Sequence, residues 1–309
     1  MPIHSAVEQI LKDYPFTLPE SLTEDTIAML RKMDRAVPLE LRPAILEVKD
    51  IVVPGPYRDI PVRIYTPVES EEALPAIVYL HGGGWSLGSV ENYDAVCRQL
   101  ANTTRCKVFS VDYCLAPEHK FPQGLEECYA ATKWIFSHAD ALHINATFLS
   151  IAGDSAGGNL SAAVTLLCRD RKGPRLWRQI LLYPAVDALR SIEQSPYESI
   201  RSNAHAPVLS SSLTRSFWHH YVRNEEDYTN PYVSPIQADL NHVPPALIIT
   251  AEYDPIRDEG EAYVTRLQAH NIPAKAIRYK GLVHGFLTMP LAMNQQVHET
   301  IAIFIREDM

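Results

Sequence analysis

Apolar and polar positions follow two rhythms along this chain, and the switches between them draw most of the fold. Short apolar runs recur at 76–80, 107–111, 148–152, 180–183, 247–250 and 274–279, with the length and content of strands. Longer stretches between them carry apolar residues three and four apart, at 93–101, 125–137, 159–171, 259–269 and 291–306, and predict helices. Strand alternating with helix predicts an α/β fold, a mostly parallel sheet with helices on both faces. Two earlier β-rich segments, 45–53 and 62–65, flank Pro54-Gly55-Pro56 and read as an antiparallel pair at a sheet edge. Eight strands result, the first two expected to run antiparallel to the rest.

Two regions break the alternation. Residues 1–40 read as two short amphipathic helices, one with Val7, Ile10, Leu11 and Tyr14, the other with Ile27, Leu30 and Met33. Pro15 and Pro19 separate them, and both are expected to lie across the domain rather than in its sheet. Farther on, 63 residues separate Tyr183 from Leu247, far more than a crossover needs. They include a polar, Ser-rich stretch at 191–216 and the cluster Phe217-Trp218-His219-His220-Tyr221. Such an insertion is expected to join the N-terminal helices as a cap over the carboxyl ends of the strands, where open α/β sheets bind ligands. The cap is then 1–40 with 187–222, and the sheet domain is 41–186 with 223–309.

Charge and cysteine content narrow the partners. A net charge of −9 argues against nucleic acid or an anionic membrane, both polyanionic. The N-terminal residues have neither a basic start nor a continuous apolar core, so no signal peptide is expected. No window approaches the ~18 uninterrupted apolar residues of a membrane span. Cys97, Cys106, Cys114, Cys128 and Cys168 are odd in number and form no C-x-x-C, which fits small core residues in a reduced, cytoplasmic setting. There is no H-E-x-x-H, no Cys/His cluster and no G-x-G-x-x-G, so no metal and no dinucleotide cofactor is expected.

The chemistry centres on Gly153-Asp154-Ser155-Ala156-Gly157-Gly158-Asn159, between a predicted strand and a predicted helix. A bare G-x-S-x-G is often just a small-residue turn, but in this setting it suits a serine nucleophile on a sharp turn. Such a serine needs a base, an orienting acid and an oxyanion hole, with acid and base on loops after later strands. Asp254 follows the strand at 247–250 and His284 follows the one at 274–279, bracketed by Gly281 and Gly285. Asp254 could instead cap the next helix, and Glu252, Asp258 and Asp187 are its rivals. His298 lies in a helical pattern and His219-His220 in the insertion, so neither stands where the base is needed. His81-Gly82-Gly83-Gly84-Trp85 follows the strand at 76–80, and its glycines let the backbone curl so that amides converge. The expected oxyanion donors are the amides of Gly83, Gly84 and Ala156, with His81 anchoring the loop and Trp85 packing.

Together with Asp112-Tyr113-Cys114-Leu115-Ala116-Pro117-Glu118-His119, these motifs make the chain resemble the hormone-sensitive-lipase-like (family IV) carboxylesterases of the α/β-hydrolase superfamily. The resemblance runs from about residue 45 to the C-terminus. It implies the α/β-hydrolase fold with a helical cap, and hydrolysis of short- to medium-chain acyl esters. The family often has Arg where this chain has Cys114, with no catalytic consequence expected. An amidase or lactonase would use the same triad. A non-catalytic binding protein on this fold, like the related plant hormone receptors, typically lacks the histidine. The strand at 274–279 could pair with its copy in a homodimer.

Overall fold

The computed structural model describes residues 2–13, 19–33 and 36–309. Helices α1 (Ser5–Asp13) and α2 (Glu24–Met33) precede strands β1 (Glu47–Val53), β2 (Ile60–Thr66) and β3 (Leu74–Leu80). Then come α3 (Asp94–Thr104), β4 (Lys107–Val111), α4 (Gln123–Ser137), β5 (Ile144–Asp154), α5 (Ala156–Asp170) and β6 (Gln179–Leu182). The insertion holds α6 (Ser199–Ser202) and α7 (Ser211–Tyr221), followed by β7 (Ala246–Tyr253), α8 (Arg257–Ala269), β8 (Ala274–Val283) and α9 (Asn294–Arg306). The predicted helix-face residue Tyr14 and the breaker Pro15 lie outside the described residues.

All eight strands join one sheet in the order β1-β2-β4-β3-β5-β6-β7-β8. This is the α/β-hydrolase arrangement the sequence implies, with one correction. Only β2 runs against the sheet: it pairs antiparallel with both β1 and β4, so β1 runs with the other six. The hairpin dictates this, because two strands joined by a tight turn must oppose each other and cannot both oppose a third.

Period-two alternation divides the core. On β3, Ala76, Val78 and Leu80 pack with Leu125 and Ile135 of α4 and Leu160 and Val164 of α5. Ile77 and Tyr79 face the other way, among Leu100 of α3 and Val297 and Ile301 of α9. Val7 of α1 is buried in this second cluster, and the His4 amide donates to Gly281 O near the end of β8. Ile27 and Leu30 of α2 belong instead with Leu213, Phe217, Trp218 and Tyr221 of α7. The Leu22 amide donates to Ser216 Oγ at 2.8 Å, and His220 Nε2 donates to Leu22 O at 2.8 Å. All five cysteines are buried and free. Among the described residues, no helix is long and apolar enough to cross a membrane.

Candidate active site

Sheet register assembles the site before any side chain is considered. Leu80 pairs with Gly153, so two residues on, Gly82 and Ser155 leave neighbouring strand ends together. Tyr253 pairs with Val283, so the next residues, Asp254 and His284, emerge side by side.

Ser155 stands alone between β5 and α5, at φ 53° and ψ −120°. Its amide donates to Leu182 O at 2.8 Å, holding this strained turn against the end of β6. A non-glycine residue in such a conformation typically costs about 1–3 kcal/mol and points the side chain where a relaxed turn would not. The glycines around it serve close approach. A Cβ at Gly157 would lie 1.9 Å from Leu80 O, and one at Gly153 would lie 2.3 Å from Gly157 O. Helix α5 therefore starts at Ala156, earlier than the predicted 159: tertiary contact overrides the poor helix propensity of Gly157-Gly158.

His284 Nε2 lies 2.9 Å from Ser155 Oγ, and His284 Nδ1 lies 2.7 Å from Asp254 Oδ2. Asp254 is fully buried and His284 nearly so. The other Asp254 oxygen accepts the Ile256 amide at 3.0 Å, so this carboxylate satisfies the helix entry and orients the imidazole at once. With Nδ1–H donating to Asp254, Nε2 is left to accept from the serine hydroxyl. The Tyr183 ring packs edge-on to His284, centroids 4.9 Å apart. The rivals are engaged elsewhere. Glu252 accepts the Gly281 amide, Asp258 the Ser199 amide and Asp187 the Tyr197 hydroxyl. His298 is buried in α9, where desolvation pushes its imidazole down to about 4.

The loop after β3 turns through Gly83 at φ +113° and Gly84 at φ +59°, the left-handed region glycine tolerates best. Gly83 O accepts the amides of Ser86 and Leu87, which folds its carbonyl back into the loop. Among the described residues, none accepts the amides of Gly83, Gly84 or Ala156. His81 is fully buried, with Nδ1–H donating to Gly82 O at 2.8 Å and its ring stacked on Tyr113. Burial lowers its pKa, so it stays a neutral anchor. Trp85 stacks on Tyr221 at 4.4 Å between nearly parallel rings. A cleft of about 180 Å³ opens above Ser155, bounded on the far side by Val208, Leu209, Thr214, Phe217 and Trp218 of the insertion. Phe217 lies directly on the loop: a Cβ at Gly84 would come within 2.1 Å of its ring.

Asp154 is the site residue that motif reasoning left without a role. Its carboxylate is buried, with Oδ1 accepting the Gly82 amide and the Tyr79 hydroxyl and Oδ2 the Tyr93 hydroxyl, each at 2.9 Å. Burial pushes it up to about 6, against the pull of these three donors. The signal in the sequence was an acid closing an otherwise apolar run. Phe217 left no comparable signal, since nothing local marks which aromatic of the insertion meets the loop.

The chain is similar to known esterases in sequence and in fold. A model of the α/β hydrolase fold family matches residues 77–288. The chain is 37% identical over 295 residues to the carboxylesterase NlhH of Mycobacterium tuberculosis, covering 93% of this chain and 91% of that protein. It is 39% identical over 253 residues to an arylesterase of Saccharolobus solfataricus, covering 81% and 80%. Among solved structures, a hyperthermophilic esterase of the archaeon Pyrobaculum calidifontis superposes with a TM-score of 0.88 at 40% identity, covering 99% of each chain.

Proposed function

Since the chain belongs to the hormone-sensitive-lipase-like carboxylesterases of the α/β-hydrolase superfamily and is a carboxylic ester hydrolase, we propose that it cleaves short- to medium-chain acyl esters through Ser155, His284 and Asp254. Ser155 Oγ attacks the ester carbonyl while His284 Nε2 takes its proton. Asp254 holds the imidazole tautomer and stabilises the imidazolium. The amides of Gly83, Gly84 and Ala156 receive the oxyanion. His284 then protonates the departing alkoxide, and water attacks the acyl-enzyme by the same route. The observation that carries this reading is the unbroken chain from Ser155 Oγ through His284 to Asp254, at 2.9 and 2.7 Å.

The remaining expectations stand as parts of the same proposal. Residues 1–40 and 187–222 form the cap over a catalytic domain of 41–186 and 223–309, supported by α2 packing on α7 and by α7 walling the cleft. The modest cleft favours the shorter acyl groups. A reducing, cytoplasmic setting is supported by five buried, free cysteines. The open edge of β8 supports pairing with a second copy, which sedimentation at micromolar concentration would test. No cofactor or metal takes part in the proposed reaction.

The deciding experiment is hydrolysis of p-nitrophenyl esters from acetate to palmitate by the wild type and Ser155→Ala. Activity concentrated in the short and medium chains, falling by roughly 10⁴–10⁶-fold in the variant, is the expected result. Activity that survives the substitution would sink the nucleophile, and a wild type preferring amides or lactones would move the substrate class.

A further inference from the structure

We propose that Asp154 is the positioning residue of the oxyanion hole: its carboxylate fastens the loop after β3 to the strand end that presents Ser155, and so sets the separation between nucleophile and oxyanion donors. The inference rests on the Ser155–His284–Asp254 reading above and adds a residue to it.

The geometry argues for this from both partners. Gly82, whose amide Asp154 holds at 2.9 Å, directly precedes the two glycines proposed to receive the oxyanion. Asp154 itself directly precedes Ser155. One hydrogen bond therefore spans the gap between the two halves of the machinery, one residue from each. The first glycine of the loop is also explained. Unlike Gly83 and Gly84, Gly82 has no positive φ, so its backbone would tolerate a side chain. Its Cβ, however, would lie 2.4 Å from Asp154 Oδ2 and 2.9 Å from the Tyr93 hydroxyl. Gly82 is a glycine because the carboxylate is there.

A structural filler would not need to be an acid. Asp154 is 1% exposed, and among the described residues no Lys or Arg pairs with it. A buried carboxylate held only by neutral donors is costly, so its charge calls for a use. The groups facing it are the Tyr79, Tyr93, Tyr113 and Tyr183 phenols and the Cys97 thiol, all pushed upward by burial, together with His284. The phenols and thiol stay neutral across the working range. His284 alone gains a positive charge in the reaction, and an ionised Asp154 favours that imidazolium. The charge is conditional, because burial lifts Asp154 to about 6. Below that the carboxyl is neutral, the bond from the Gly82 amide loses its charge assistance, and the tie loosens. The acid limb of activity then reports the protonation of Asp154.

Asp154→Asn and Tyr93→Phe test this, with kcat normalised to the acyl-enzyme burst from p-nitrophenyl acetate. For Asp154→Asn, kcat per active site should fall about 10- to 100-fold with KM little changed, less than the loss from deleting an oxyanion donor outright. A trifluoromethyl ketone, whose adduct carries the oxyanion, should lose affinity in parallel. Tyr93→Phe removes a donor that favours the carboxylate, so its acid limb should move upward by about half a pH unit or more. If Asp154→Asn fails to fold, the limb of Tyr93→Phe decides alone. An unmoved limb overturns the proposal, and so does a loss of activity fully accounted for by missing burst sites. Failure of the underlying triad looks different: it appears as turnover in Ser155→Ala.

Discussion

The two sides of the cleft are built on opposite principles. The floor, carrying Ser155, Asp254, His284 and the glycine loop, hangs from strand ends whose mutual positions are fixed by backbone ladders. Tyr253 opposite Val283 and Leu80 opposite Gly153 leave little for side chains to decide. The facing wall, α7 with α2 packed against it, has no ladder. It is held by Arg31, by the Leu22–Ser216 and His220–Leu22 bonds, and by the packing of Trp85 against Trp218 and its stacking on Tyr221. A structure fixed by backbone is hard to retune without losing the reaction. One fixed by a few side chains can be altered piece by piece. The difference predicts that floor changes cost turnover on every ester alike, and wall changes cost it selectively.

The largest test of that contrast is Asp254→Asn. The amide fills the same space but favours the wrong imidazole tautomer, a change worth roughly 10⁴ in kcat for a Ser-His-Asp hydrolase. The loss should be the same for p-nitrophenyl acetate and hexanoate. A loss that varies more than a few-fold with chain length would mean that the floor also selects substrate.

The same contrast governs what could be read from sequence. Strand 107–111 is found where its apolar run stands, and Ser155, Asp254 and His284 were legible because a strand end followed by a loop leaves a local trace. Asp254 could be preferred over Glu252 and Asp258 because the residue just past a strand end is carried by the ladder. The direction of β1 was misread because pairing between β2 and β4 is a property of distant residues. Asp154 was visible as an acid ending an apolar run, but its partners Tyr79, Tyr93 and Gly82 become neighbours only in the fold. The wall was least legible. Arg31 meets Ser86 and Ala116 across 55 and 85 residues, and Leu22 meets Ser216 across 194. Contacts of that separation leave no periodicity behind.

A mid-sized effect is expected where wall touches floor. Phe217 rests on Gly84, so Phe217→Ala enlarges the cleft and removes a support from the loop. Two further methylenes accommodated at ~0.8 kcal/mol each would shift the ratio of kcat/KM for octanoate over acetate by roughly 10-fold. Acetate turnover itself should fall modestly as Gly84 loses its packing. Equal losses on both esters would mean that Phe217 only steadies the loop, and unchanged constants that the wall stands clear of the acyl chain.

Arg31 gives the smallest and most diagnostic test. Its Nε donates to Ser86 O at 2.7 Å and Nη2 to Ala116 O at 2.6 Å, while Nη1 meets the exposed Glu118. The Glu118 pair contributes little in solvent, so the two carbonyls carry the latch. Arg31→Ala leaves both without a partner, for about 1–3 kcal/mol. The bonds of Arg31 go to Ser86 and Ala116 rather than to the triad or the glycines, so kcat should stay within about twofold while KM rises a few-fold as α2 loosens, roughly 1 kcal/mol of uniform binding. The split between the two constants matters more than its size. A fall in kcat matching the rise in KM would mean that α2, through Ser86, helps hold the Gly83–Gly84 turn. The wall would then belong to the catalytic machinery, and the division drawn above would have to move inward to the aromatic cluster around Trp218.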